Sequence, residues 1–244
     1  MRNKKTRIAV LIAVILVAIG AVIYGIWNRL NRPTPIPAGQ SSAAPTSHTP
    51  TPFPSDRAWP AECPTNPQPI ADPVQFTLLA QHRQLPMISV GRDADGAAGA
   101  PPGDQPETIA WFNEGPRVGS AAGQVVLTSH TYHLGGAFGN ELNDGLLQIG
   151  DVILINDAAG NAACYSYSGS AHVLVAEYDP DSDLVYSYDS SPRFALVVCS
   201  DYTPGGDTLG RMIYYGELMT QNSTGQQTAD SGQTGTSMMA GGNR

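Results

Sequence analysis

A chain of 244 residues with 26 glycines, 20 prolines and only 14% charged residues has room for one sizeable domain plus appendages. Its charge is divided: six of thirteen basic residues (Arg2, Lys4, Lys5, Arg7, Arg29, Arg32) stand at the N-terminal end without an acid among them. Everything after Arg32 carries seven arginines, no lysine and all twenty-one acids, an anionic surface that repels phosphate backbones and argues against nucleic acid as a partner.

Ile8 to Trp27 is an unbroken apolar and glycine run, and about 20 helical residues cross a hydrocarbon core of roughly 30 Å. Four basic residues precede it and two follow, so residues 1–30 read as a cytoplasmic basic end and a single transmembrane anchor, with the rest exported. A cleaved signal peptide is the competing reading, but its apolar region is normally shorter and Ala18-Ile19-Gly20 is a poor cleavage site. Residues 31–73, rich in Pro, Thr and Ser, read as an extended stalk that holds a domain away from the membrane. Residues 220–244 are Gly, Ser, Thr and Gln without periodicity and read as a disordered tail.

Residues 74–219 form the folded domain. Short runs of β-branched and aromatic residues, separated by Gly, Asp, Asn and Pro, predict strands at Gln84–Val90, Gln124–Ser129, Asp151–Ile155, Ala163–Ser168, Ala171–Tyr178, Leu184–Tyr188, Phe194–Cys199 and Arg211–Leu218. Glu107–Phe112 and Asn140–Leu147 are read as helical turns. This spacing predicts an all-β domain, a closed barrel or a sandwich.

Three strand ends carry chemistry. The run Gln124 to Ser129 delivers His130, the run Phe194 to Val198 delivers Cys199, and Ser200 to Gly210 leads as a loop into Arg211. A thiol, an imidazole and a guanidinium at strand ends suit nucleophilic acyl transfer. His133 is a rival base within the following loop, and His172, at a strand start, is read as structural; His48 and His82 are assigned no role. Taken alone, a cysteine on an apolar strand is more often buried filler than a nucleophile.

Three cysteines in an exported chain leave one unpaired. Cys164 faces away from Tyr165 and Tyr167, and Cys63 lies just before the domain, so a Cys63–Cys164 disulfide pinning the stalk to the barrel is expected, with Cys199 free; two unpaired surface thiols are the alternative. The loop Asp179-Pro180-Asp181-Ser182-Asp183 alternates carboxylates but lacks the sixth-position glycine and distal glutamate of a calcium loop. It is read as a solvated turn, and no metal or other cofactor is expected.

The motifs also carry a resemblance. Val90-Gly91-Arg92-Asp93-Ala94-Asp95-Gly96, then Pro101-Pro102, Ala110-Trp111-Phe112, Gly115-Pro116-Arg117-Val118-Gly119, the strand ending in His130, and Leu147-Gln148-Ile149-Gly150-Asp151-Val152-Ile153 resemble actinobacterial sortases, most of all the class F group. The resemblance spans roughly Gln84 to Leu218. It implies an eight-stranded sortase-type β-barrel with one or two short helices, and a membrane-bound cysteine transpeptidase that acts on LPxTG-like sorting signals. Carried over by position, Cys199 matches the nucleophile, His130 the family histidine and Arg211 the family arginine. The segment before the cysteine strand usually shapes the substrate groove, which nominates Tyr186, Tyr188, Phe194 and Val198 as substrate contacts. The sequence departs from the family where Leu196-Val197-Val198-Cys199 lacks the usual hydroxyl before the cysteine, and where Thr128-Ser129 precedes the histidine. The implied partners are surface proteins bearing a sorting signal, a peptidoglycan precursor or other cell-wall amine, and the membrane through the N-terminal helix. An L,D-transpeptidase would want Ser-x-Gly-Cys with arginine two residues later, whereas Val198 precedes Cys199 and Asp201 follows. The remaining alternative is a catalytically silent barrel used for surface binding.

A free thiol ionises at about pH 8.5 and a free imidazole at about 6.5, so the neutral pair dominates at neutral pH. A nearby arginine favours the thiolate and disfavours the imidazolium. Arg211 is therefore read as a hydrogen-bond donor to the substrate peptide or its oxyanion.

Overall fold

The computed structural model describes residues 58–188 and 190–221. The expected membrane anchor, most of the stalk and nearly all of the tail lie outside them. No helix among the described residues is long and apolar enough to cross a membrane.

Eight strands close into a barrel: β1 (Pro73–Leu78), β2 (Arg83–Val90), β3 (Ile109–Phe112), β4 (Gln124–Thr128), β5 (Val152–Asp157), β6 (Ala162–Leu174), β7 (Arg193–Tyr202) and β8 (Thr208–Leu218). Their order around the wall is β1-β2-β3-β4-β7-β8-β6-β5, with β5 pairing back to β1. The β2–β3 and β4–β7 pairs are parallel and the other six antiparallel. Among the described residues one short α-helix, α1 (Phe138–Asn143), lies between β4 and β5.

Period-two alternation sorts the side chains of each strand. On β7, Phe194, Leu196 and Val198 point into the interior cluster, while Ala195 and Val197 join a second cluster on the outer face. The interior is filled with aromatic rings rather than hollow. Phe76 meets Phe138 and Phe194 edge-on at 6.1 and 6.4 Å, and Tyr165 meets Phe194 at 5.2 Å. A Cβ at Gly216 would come within 2.3 Å of the Phe194 ring, so glycine lets that ring lie flat against β8.

Several elements differ from the sequence reading. Ala163–Ser168 and Ala171–Tyr178 are one long strand, β6, broken only by a register shift at Tyr167–Gly169 and ending at Leu174 in a 3-10 turn, Val175–Glu177. The run Ile109–Phe112, read as helical, is a strand with all four residues buried. Four consecutive apolar residues carry no period, so only the neighbours β2 and β4 decide. Leu184–Tyr188 is not a strand. Leu184 and Val185 pack side by side on the outer face of β7 and β8, while Gln124 replaces a ladder by bonding their carbonyls. The short strand β1 was not foreseen. The Ser200–Gly210 loop shrinks to residues 203–207, since β7 and β8 run further than expected.

The end of the expected stalk packs on the barrel. Cys63 bonds Cys164 across 101 residues, Trp59 Nε1 donates to the Cys63 carbonyl at 2.9 Å, and Ile70, 1% exposed, bridges to Val118. Residues 58–72 thus have apolar side chains to bury that the composition of the whole segment concealed.

Candidate active site

Parallel pairing of β4 with β7 aligns Thr128 with Val197, and the Ser129 N–H donates to the Val197 carbonyl at 3.3 Å. Two residues further along each chain come His130 and Cys199. On the other side of β7, antiparallel pairing places Arg211 of β8 directly opposite Cys199. Cys199 is the free cysteine and is partly buried. His130, Cys199 and Arg211 together line one groove of about 380 Å³.

The groove runs over the outer face of the barrel. Val126, Val173, Val197 and Ile213 give it an apolar floor, the β2–β3 loop supplies one wall around Ala97 and Ala98, and Tyr178, Val185 and Tyr186 supply the other. The Ala98 N–H donates to the Tyr186 hydroxyl at 2.8 Å, linking the two walls. Gln124, fully buried, fixes the second wall by donating through Nε2 to the Leu184 and Val185 carbonyls at 3.1 and 2.6 Å. The Tyr178 hydroxyl is buried without a hydrogen-bond partner among the described residues, and burial raises its pKa.

His130 is held from several sides. Its Nε2 lies 2.7 Å from the Pro101 carbonyl and 3.2 Å from that of Pro102. A carbonyl only accepts, so Nε2 carries the proton and the basic lone pair of the neutral ring sits on Nδ1. The Tyr132 ring stacks 6.0 Å away and its hydroxyl donates to the Gly103 carbonyl of the same proline loop. Behind the histidine, the Gly139 N–H of α1 donates to the His130 carbonyl at 2.8 Å. A Cβ there would lie 2.4 Å from that carbonyl oxygen, so the close approach requires glycine.

Two side chains join these elements. Tyr202, three residues beyond Cys199, donates to the Thr131 carbonyl at 2.6 Å and meets the Thr131 hydroxyl at 2.7 Å. Asn143 of α1 donates to the Cys199 carbonyl at 3.0 Å and accepts from the Tyr214 hydroxyl at 2.9 Å. Arg211 donates through Nη1 to the Gly210 carbonyl and to the Thr208 hydroxyl, at 2.7 and 3.1 Å. Among the described residues it has no ion pair with a carboxylate, so much of its fork remains free for an acceptor in the groove.

Other nominated residues sort differently. Tyr186 lines the groove, as does Val198, although Val198 is 2% exposed and packs in the interior cluster. Phe194 does not line it: alternation turns its ring inward, where it is fully buried. Tyr188 lies outside the groove as well, 61% exposed beyond the stretch that Gln124 holds. His133 stacks on Tyr202 at 5.3 Å and is not part of the lining. The acidic loop closes on itself, with Asp179 accepting from the Asp181 N–H and the Ser182 hydroxyl. Among the described residues no group of three or more His, Cys, Asp or Glu is placed to hold a metal ion. Tyr202, Asn143, Gly139 and Gln124 had no signal in the sequence, because each acts through a contact distant along the chain; Pro101-Pro102 stood among the motifs, but nothing in the sequence gave its carbonyl a role toward His130.

No family model and no curated protein matches this chain. Among solved structures it is similar to sortase C-1 from Actinomyces oris (21% identity over 60% of this chain and 72% of that one, TM-score 0.44). It is also similar to sortase A from Corynebacterium diphtheriae (15% identity, 62% and 61% covered, TM-score 0.44). A third is sortase A from Listeria monocytogenes (15% identity, 61% and 88% covered, TM-score 0.40).

Proposed function

We propose that this chain is a sortase-type cysteine transpeptidase, similar to class F. In this reading it is tethered by its N-terminal helix with the barrel outside the cell, and it joins surface proteins to a cell-wall amine. The observation that carries the proposal is the convergence of a free thiol, a tautomer-fixed imidazole and an arginine without a carboxylate partner at one end of an apolar groove. The branched aliphatic floor suits an extended peptide with a leucine-like side chain, such as an LPxTG-like signal.

The Cys199 thiolate attacks the threonine carbonyl carbon of the Thr–Gly bond. The C–S bond forms as the carbonyl electrons move to oxygen, where Arg211 donates hydrogen bonds. Collapse expels the glycine amine, which takes its proton from imidazolium His130 and leaves a thioacyl enzyme. An incoming amine loses a proton to His130, attacks the thioester and releases the thiolate.

The test is incubation of the protein with LPxTG-like peptides, with and without candidate amines, read by intact mass. An acyl adduct on wild type that is absent from Cys199→Ala, followed by amide products, is the expected result. Cleavage retained by Cys199→Ala would refute the assignment, and peptide binding without any adduct would instead favour the silent barrel.

A further inference from the structure

Beside the groove, but on the opposite face of the same strands, three residues make a second polar arrangement. His172 Nε2 of β6 lies 2.5 Å from Asp201 Oδ2 of β7, and the Ser200 hydroxyl donates to that oxygen at 2.8 Å. β8 runs between β6 and β7, so the pair must reach over it, and it crosses at Gly210. That residue is registered against Ser200 on one side and Leu174 on the other. A Cβ on Gly210 would sit 1.9 Å from Asp201 Oδ2, 2.5 Å from Ser200 Oγ and 2.8 Å from His172 Nε2. Asp201 takes a left-handed backbone, φ 55°, to turn its carboxylate over the strand. For a residue other than glycine this conformation costs free energy unless local contacts hold it. The hydrogen bond from His172 also holds the Asp201 carboxyl below the usual carboxylate range.

Both reactive residues of β7 and β8 adjoin this crossing. Cys199 is two residues before Asp201, and Arg211 directly follows Gly210, whose carbonyl takes its Nη1 proton at 2.7 Å. We infer that His172, Asp201 and Gly210 form a latch that keeps Arg211 aimed at Cys199, making His172 and Asp201 positioning residues. Clasping β6 to β7 over Gly210 fixes the peptide whose carbonyl anchors the guanidinium, and it stops the hairpin end from fraying next to the thiol. The use of that aim, an oxyanion donor, rests on the acyl-transfer reading; the aim itself does not.

The single free thiol permits a test without peptide substrate. Rates of Cys199 alkylation by anionic iodoacetate and by neutral iodoacetamide are measured on the oxidised protein, and their ratio reports a cation near the sulfur. Arg211→Ala should lower the ratio about three- to ten-fold, the effect of one unit charge several ångströms away in partly screened surroundings. Gly210→Ala alters no charge, yet should bring the ratio most of the way to the Arg211→Ala value. Asp201→Asn removes a negative charge, which by electrostatics alone raises the ratio; loss of the latch lowers it. His172→Gln supplies a further variant should Gly210→Ala not fold. Placed in the Arg211→Ala background, Gly210→Ala and His172→Gln should leave the ratio nearly unmoved, while Asp201→Asn should raise it through the lost negative charge alone. A ratio in folded Gly210→Ala or His172→Gln equal to wild type, a rise in Asp201→Asn, or no effect of Arg211→Ala overturns the inference. Wild-type protein that turns over no sorting peptide sinks the transpeptidase reading alone, whereas normal turnover with an unchanged ratio sinks the latch alone.

Discussion

Replacing Tyr202 by Phe removes one oxygen and leaves the ring stacked on His133. That oxygen donates to the Thr131 carbonyl at 2.6 Å and meets the Thr131 hydroxyl at 2.7 Å, and Thr131 is 7% exposed. A net hydrogen bond contributes about 1 kcal/mol, and a carbonyl left buried without a partner costs about 1–3 kcal/mol. The loss should therefore total about 2–4 kcal/mol. For a domain of this size each kcal/mol moves Tm by roughly 2–4 °C, so a fall of about 4–16 °C is expected in a thermal scan. Tyr202 ties the residue after His130 to the strand that carries Cys199, so the rate of thioacyl formation should fall as well, by about ten-fold. Thr131→Val removes only the hydroxyl, and in that background Tyr202→Phe should still cost most of its stability, because the carbonyl bond remains. An unchanged Tm together with an unchanged acylation rate would refute the claim that this contact sets the distance between the two strand ends.

Other consequences follow from the same geometry. Changing Cys63 and Cys164 together to serine frees a 101-residue separation and should lower unfolding free energy by about 2–5 kcal/mol in denaturant titrations, with Cys199 still alkylated at its normal rate. Gln124→Leu releases the wall at Leu184 and Val185; KM for a peptide substrate should rise several-fold with kcat nearly constant, since Gln124 touches none of the reacting groups. Burial raises the Glu217 carboxyl above its usual range, against the opposing field of Arg193. A raised carboxyl favours folding below its unfolded value, about pH 4.3, and that contribution is lost as pH rises through the folded value. Glu217→Gln should accordingly raise Tm at pH 7 relative to wild type more than at pH 4. An equal effect at both pH values would contradict the burial argument.

Much of the barrel was legible because short apolar runs of β-branched and aromatic residues, bounded by turn residues, mark strands, as in Phe194 to Val198. Legibility failed where that pattern was ambiguous or imitated. Ile109–Phe112 is buried throughout and has no alternation, while the apolar and aromatic composition of Leu184–Tyr188 imitates a strand although the Leu184 and Val185 carbonyls go to one glutamine. The two-residue period of a strand explains the misplacement of Phe194. Its proximity to Cys199 in sequence suggested the groove, but an odd-numbered step along the strand sends a side chain to the other face.

The sequence by itself determined the ingredients: a thiol, an imidazole and a guanidinium, each at the end of an apolar run, with two further cysteines to bridge. These are local properties, carried by residue type and short-range pattern. Only the tertiary structure decided that the three meet, because the parallel pairing of β4 with β7 and the closure of the barrel join segments about seventy residues apart. It alone decided, too, what holds them. The Pro101 carbonyl, Gly139, Tyr202 and the crossing at Gly210 act through contacts whose geometry exists nowhere along the unfolded chain.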